Sequence, residues 1–312
     1  MADSVISVRG LRKSYDGFEA VRGIDLEVRT GEIFAFLGPN GAGKTTTVEI
    51  LEGYRQRSGG EVRVLGVDPQ KADRDWRQRV GFVLQECRLV GELTPREALE
   101  QYAGYYTSPR NVNETVELVG LGEKADVRTS RLSGGQQRRL DVALALIGDP
   151  ELLFLDEPTT GFDPSARRQA WEVIAGLPKL GKTVFLTTHY MDEAQALADR
   201  VAILSAGRIV ATGTPEELGG NGEAKTEISF VLPPGVRPPD LPGTIRANAR
   251  VSDGVVLLSV DDPVPILRDL TNWAGEHGVG LPRLQVRRPS LEDVYLELTD
   301  GRPLAEPVEE AE

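Results

Sequence analysis

Gly38-Pro-Asn-Gly-Ala-Gly-Lys-Thr45 sets a lysine and a hydroxyl directly behind a glycine-rich stretch, in the spacing G-x-x-x-x-G-K-[ST]. Gly38, Gly41 and Gly43, with Pro39, Asn40 and Ala42 between them, let the backbone wrap so that its N–H groups converge on phosphate oxygens. A helix starting near Lys44 adds the positive end of its dipole to the same place. Lys44 is expected to reach the β- and γ-phosphates and Thr45 to bind Mg²⁺, with Thr46 in position to donate to a more distal phosphate. These residues point to nucleotide binding. They do not choose among a kinase, a GTPase and a motor.

Leu152-Leu-Phe-Leu-Asp-Glu-Pro158 supplies a second set. Four apolar residues make a buried strand, and Asp156 emerges at its C-terminal end, the edge where open α/β sheets place ligands. Asp156 is expected to hold the hydration shell of Mg²⁺, and Glu157 to orient or deprotonate an attacking water, a role that contributes ~10²–10⁴ in rate. Leu132-Ser-Gly-Gly-Gln-Gln-Arg-Arg139 reads as another anion cradle. Ser133 offers a hydroxyl, Gly134 and Gly135 open the backbone, and a helix follows with free N–H groups. The same residues also make a plausible N-cap and turn. Two cradles served by one lysine and one acid pair are economically explained if two copies of the chain meet head-to-tail.

The elements that must carry these residues are legible as alternation. Apolar runs at residues 33–37, 81–84, 152–155, 184–187 and 201–204 have the texture of strands covered on both faces. Helical stretches at 45–51, 95–105, 112–119, 136–147 and 166–177 lie between them. Residues 5–8, 26–28 and 62–65 predict a smaller antiparallel β portion. The fold class expected is α/β over residues 4–218, with a glycine-rich hinge at 218–225. A small C-terminal α+β domain is expected over 226–300, with strands at 227–232, 244–249, 255–260 and 283–286 and helices at 266–277 and 291–298. The acidic tail 301–312 is expected to fray.

Across residues 4–218 the sequence resembles the ATP-binding cassette (ABC) ATPases, on the strength of residues 38–46, 132–136 and 152–158 in family order and spacing. The resemblance implies a P-loop NTPase with a helical subdomain and a small antiparallel β portion. Its cofactors would be ATP and Mg²⁺. The nucleotide would be sandwiched in a homodimer, with Ser133, Gly134, Gly135 and Gln136 of one chain closing over the ATP of the other. It also assigns single residues: Gln85 to sensing Mg²⁺ and water and linking to a transporter's membrane part, Asp163 in Gly161-Phe-Asp-Pro164 to crossing the dimer interface, His189 to the γ-phosphate and Tyr15 to stacking on adenine. The family usually has leucine where Phe162 stands. The stretch after Gln85, through Glu92 and Leu93, would be the docking place of a permease helix. Arg288-Pro-Ser-Leu-Glu-Asp-Val-Tyr295 resembles the tail of the bacterial branch that includes daunorubicin and multidrug exporter ATPases. That branch implies export of a drug, lipid or other amphipathic molecule through a separate integral membrane permease.

Composition sets the remaining bounds. Of 312 residues, 48 are acidic and 36 basic, a net charge of −12, which argues against a general nucleic-acid binder. No apolar run approaches the roughly 18–20 residues of a membrane span, and residues 1–8 do not read as a signal peptide. The expectation is therefore a cytoplasmic protein, peripheral on the inner face of the membrane through its permease. The lone Cys87 fits a reducing compartment and lacks a partner for nucleophilic work, His277 has no metal-ligand spacing, and Arg287 with Arg288 reads as a solvated face. The competing readings are a soluble ABC ATPase acting on ribosomes or DNA, and a non-transport regulator.

Overall fold

The computed structural model describes residues 4–83, 92–221, 225–247, 249–252, 254–287 and 291–298. Gln85, Cys87, Arg288 and the acidic tail lie outside the described residues. The chain divides into two compact units, the second spanning Glu216–Asp300.

The first unit opens with an antiparallel hairpin, β1 (Ser4–Tyr15) and β2 (Phe18–Arg29). Its two-residue turn is Asp16-Gly17, both at positive φ (38° and 89°), the Asp-Gly chemistry that a tight hairpin of this hand needs. Then come β3 (Ile33–Leu37), α1 (Lys44–Leu51), β4 (Gly59–Val64), α2 (Arg74–Gln78) and β5 (Val80–Val83). Helices α3 (Pro95–Ala103), α4 (Val112–Leu118) and α5 (Gly134–Leu146) pack on one another. The unit closes with β6 (Leu152–Asp156), α6 (Pro164–Gly176), β7 (Thr183–Thr188), α7 (Met191–Leu197), β8 (Arg200–Ser205) and β9 (Arg208–Gly213).

Two sheets result. β2-β1-β4 is antiparallel, and β5-β6-β7-β3-β8-β9 is parallel except for its last pair. Every residue of β3 and β7 is buried, as the unbroken apolar runs require of strands covered on both faces. Register puts Phe82, Phe154, Phe185 and Phe34 side by side on four neighbouring strands. Their rings meet at 5.8, 5.5 and 5.8 Å between centroids, each such contact adding ~0.5–1.5 kcal/mol beyond burial. This aromatic row fixes the relative heights of β5, β6, β7 and β3. The strand ends that carry the chemistry are therefore held level.

In the second unit, β10 (Thr226–Val231), α8 (Gly243–Arg246), β11 (Ala249–Ser252), β12 (Val255–Val260), α9 (Pro263–His277) and β13 (Gln285–Arg287) precede α10 (Leu291–Leu298). The antiparallel sheet runs β11-β12-β10-β13. Ile228, Phe230, Val256, Leu258, Leu270 and Trp273 make a core of its own. The strand expected at 244–249 is a correction: residues 243–246 are helical. Only Ile245 is buried there, and the Pro242 carbonyl accepts from the N–H groups of Ile245 (3.0 Å) and Arg246 (2.9 Å), so the segment has neither the alternation nor the ladder partners of a strand. Within the expected hinge, residues 217–221 form a short helical turn instead of an open linker. Both β9 and α7 go beyond the elements anticipated from sequence.

Candidate active site

The phosphate-type loop connects β3 to α1 as its spacing predicts. A Cβ on Gly38 would come within 2.5 Å of the Leu204 carbonyl oxygen, and one on Gly43, at φ +104°, within 2.5 Å of the Ala20 carbonyl oxygen. The loop is thus clamped between β8 and β2 at two places where no side chain fits. Lys44 is buried, and its Nζ donates to the carbonyls of Gly38 (2.7 Å) and Pro39 (3.3 Å). Burial pulls its pKa down, opposed by the charges of Glu157 and Asp156. Loop lysine and strand-end acids therefore share one electrostatic site. Thr45 is exposed on the first turn of α1, Thr46 is half-buried beside it, and Gly41 and Asn40 are exposed, so the mouth of the loop is open.

Asp156 ends β6 level with Thr187 of β7, whose hydroxyl donates to its carboxylate. Glu157 follows in a left-handed conformation, φ +45°, a strained placement for a non-glycine residue that clusters at functional sites. Its N–H is held by the Thr187 carbonyl (3.1 Å) and hydroxyl (3.2 Å). One carboxylate oxygen lies 3.2 Å from His189 Nδ1, and the other accepts from the Thr160 hydroxyl at 3.1 Å. The hydrogen bond with His189 pulls the Glu157 pKa below the usual glutamate value against the effect of burial. Glu157 is thus biased toward its anionic form, with one carboxylate oxygen on His189 and the other on Thr160. His189 is itself braced: its ring meets Tyr190 at 4.1 Å, and the Arg167 guanidinium lies 4.1 Å from the Tyr190 ring.

Ser133 is the N-cap of α5, in a reciprocal capping box with Gln136. The structure shows the N-cap, and the capped turn leaves Ser133 and Gly134 exposed. A Cβ on Gly135 would press on Ala166 Cβ at 3.0 Å, so this glycine also permits close packing of α5 on α6. Among the described residues, no hydrogen bond or ion pair joins residues 133–136 to the Lys44 loop. Asp163 caps α6, accepting from Ser165 (2.8 Å) and Ala166 (3.0 Å) N–H groups. Tyr15 ends β1 with Lys13 Nζ 4.8 Å and the Arg55 guanidinium 5.5 Å from its ring centre. Three residues that sequence reasoning passed over also belong to the site: Thr187, Thr160 and Arg138, whose guanidinium donates to the Asp156 carbonyl at 2.7 Å. The register of β7 against β6 was the signal available for Thr187; nothing in the spacing marked the other two.

The oxygens of Thr45 and Asp156 are hard donors, and among the described residues no group of three or more His, Cys, Asp or Glu side chains is arranged to hold a metal. Such a sparse oxygen set fits Mg²⁺, which keeps several waters and binds through one or two protein oxygens plus phosphates. It does not fit a resident, all-protein metal cage.

A parallel sheet with a phosphate loop after β3, a histidine after the neighbouring β7 and acids at the end of β6 beyond it defines a P-loop nucleotide hydrolase. The comparisons are more specific. Residues 21–160 match the ABC transporter family, and residues 226–290 match the C-terminal domain of ABC transporter domain-containing protein-like proteins. The Nod factor export ATP-binding protein I of Rhizobium meliloti (strain 1021) is 40% identical over 307 residues, covering 96% of this chain and 89% of that protein. A daunorubicin resistance ATP-binding protein of Streptomyces coeruleorubidus is 36% identical over 311 residues, 95% of each. Among solved structures, cbiO1 from Clostridium perfringens, part of the ABC transporter complex cbiONQ, superposes with a TM-score of 0.63 at 27% identity, over 69% of this chain and 90% of that one. The chain belongs to the ABC transporter ATP-binding family. It binds ATP and is an ATPase.

Proposed function

We propose that this chain powers the export of an amphipathic molecule by hydrolysing two ATPs sandwiched in a head-to-tail homodimer docked on a separate membrane permease. The observation that carries the reading is the convergence of Lys44, Asp156, Glu157 and His189 on one edge of the main sheet, while the turn at Ser133 stands exposed and, among the described residues, makes no hydrogen bond or ion pair with the Lys44 loop. Each chain then brings a pocket that lacks a lid and a lid that lacks a pocket.

In this mechanism Lys44 exchanges its two loop carbonyls for the β- and γ-phosphates, a swap that favours ATP because a desolvated ammonium gains a full anionic partner. Thr45 and Asp156, with Gln85, would hold Mg²⁺, which offsets charge on the phosphate oxygens when bound. Thr46 and the N–H groups of Gly41, Ala42 and Gly43 complete the cradle. Glu157, anchored by His189 and Thr160, orients the attacking water, and His189 steadies the γ-phosphate. Ser133, Gly134, Gly135 and Gln136 of the second chain close over the triphosphate, Asp163 crosses between chains, and Tyr15 stacks on adenine. ATP thereby favours closure, and hydrolysis releases it. Export is supported by the names of the relatives and by the match of residues 226–290. Among the described residues no helix is long and apolar enough to cross a membrane; the conduit is assigned to a separate permease, and membrane attachment to docking on it. The C-terminal unit is assigned to dimerisation or regulation.

Glu157→Gln tests the reading. Turnover is expected to fall by about 100-fold or more, with ATP retained and the dimer accumulating in its presence, as read by size-exclusion chromatography. Wild-type hydrolysis in that variant, or full activity from a strict monomer, overturns it.

A further inference from the structure

Arg138 sits on α5 five residues beyond Ser133 and is buried down to 11% side-chain exposure. It points away from the exposed turn and into the end of β6. There its Nη2 donates to the Asp156 carbonyl at 2.7 Å and lies 3.5 Å from the Glu157 carbonyl, while Nε lies 3.4 Å from the Pro158 carbonyl. Asp141, 7% exposed on the same helix, holds the guanidinium from behind at 3.7 Å. One rigid fork thus gathers three consecutive carbonyls, the middle one belonging to a residue in left-handed conformation.

That conformation needs support. A non-glycine residue at φ +45° is strained and persists only where its neighbours over-determine it. On the N-terminal side of the Glu157 peptide, Thr187 supplies the restraint through two acceptors. On the carbonyl side, the restraints are Arg138 and the N–H of Thr160, 3.3 Å from the Glu157 oxygen. Thr160 belongs to the turn that is being held, so Arg138 is the support that arrives from a different element.

We propose that Arg138 is a positioning residue for Glu157, fastening the turn that aims this carboxylate to the helix whose N-terminus is the Ser133 cradle. The proposal rests on the ATP-sandwich reading and deepens it. A phosphate seated on Ser133 and Gly135 by the partner chain sets the position of α5, and α5 sets the aim of Glu157 in its own pocket. The water-orienting carboxylate in one pocket is then tuned by occupancy of the other through one side chain. Lysine cannot replace it, because an ammonium is a point donor without the planar fork that spans three oxygens.

The test uses the full-length chain with Arg138→Lys and Arg138→Met beside Glu157→Gln, measuring steady-state hydrolysis, binding of a fluorescent ATP analogue and thermal midpoint. The expected result for Arg138→Lys is a kcat lower by about tenfold or more, with KM and nucleotide Kd within about twofold, the pattern of a lost transition-state arrangement. The Hill coefficient for ATP is expected to fall toward 1. Unchanged kcat overturns the proposal. So does a joint loss of kcat, nucleotide affinity and thermal midpoint, which marks a packing role only. Should Arg138→Met fail to fold, Arg138→Lys decides, since it keeps the stem and the charge. If Glu157→Gln is inactive but Arg138→Lys is not impaired, only this proposal fails. If Glu157→Gln hydrolyses normally, the functional reading fails first.

Discussion

Thr159 donates its hydroxyl to Glu193 Oε1 at 2.7 Å, and neither residue is exposed to solvent. The same oxygen accepts from Trp171 Nε1 at 3.1 Å. This contact ties the loop after Glu157 to α7, the helix that begins just after His189, and to α6. The loop after Glu157 and the helix after His189 are thereby cross-linked through one carboxylate oxygen. Burial pushes the Glu193 pKa up, against the hydrogen bonds from Thr188, Thr159 and Trp171.

Glu193→Gln is therefore expected to be tolerated, with stability within about 1 kcal/mol of wild type, because the amide oxygen can take the place of Oε1 for Thr159 and Trp171. Glu193→Leu leaves the buried Thr159 hydroxyl and the half-buried Trp171 Nε1 without this acceptor, at a cost of about 2–4 kcal/mol on the usual scale for buried unsatisfied groups. Urea melts followed by far-UV circular dichroism separate the outcomes. Equal stability of the two variants would show that the contact is incidental.

Lys44→Ala addresses the loop. Among the described residues, two carbonyls satisfy the buried ammonium, so it is held ready for a stronger partner. Deleting a buried charge that contacts phosphate corresponds to about 2–5 kcal/mol of binding. ATP affinity by isothermal titration is expected to weaken by roughly 30-fold or more, while the thermal midpoint without nucleotide changes little. Retained affinity would place the triphosphate elsewhere.

How much of this was legible beforehand follows from what each feature depends on. The loop, the acid pair and the positions of the buried parallel strands are written in local patterns, since each needs only a run of apolar residues and a fixed spacing. The left-handed backbone of Glu157 is not local: it exists because Thr187 and Arg138, 30 and 19 residues away, hold its two peptide faces. Glu193 was invisible for the same reason, as an acid in a helix is ordinarily solvated until three other elements close over it. The misread strand at 244–249 failed on length, since four helical residues with a single buried Ile245 give no periodicity to count. Strands β1 and β2 extend well past the short apolar runs expected, because the Asp16-Gly17 turn, not hydrophobicity, carries their pairing outward.

Glu52 gives the pH dependence. It follows α1, is buried to 8% exposure, and its pKa is pushed from 4.5 up to about 8 by burial first and then by the charges of Asp156 and Glu49. A carboxyl raised in the fold binds its proton more tightly there than in the unfolded chain. Its contribution to stability is complete below about 4.5 and drains away as pH climbs toward about 8. Moving one carboxyl over that interval corresponds to at most about 5 kcal/mol. The chain free of nucleotide and magnesium should therefore melt at progressively lower temperature between these pH values. Glu52→Gln, which cannot ionise, should flatten that slope, matching wild type near pH 5 and exceeding it by about 1 kcal/mol or more near pH 8.5. Differential scanning calorimetry across the range reads both curves. Parallel slopes in the two proteins would mean that Glu52 ionises freely in the native state and that solvent reaches it.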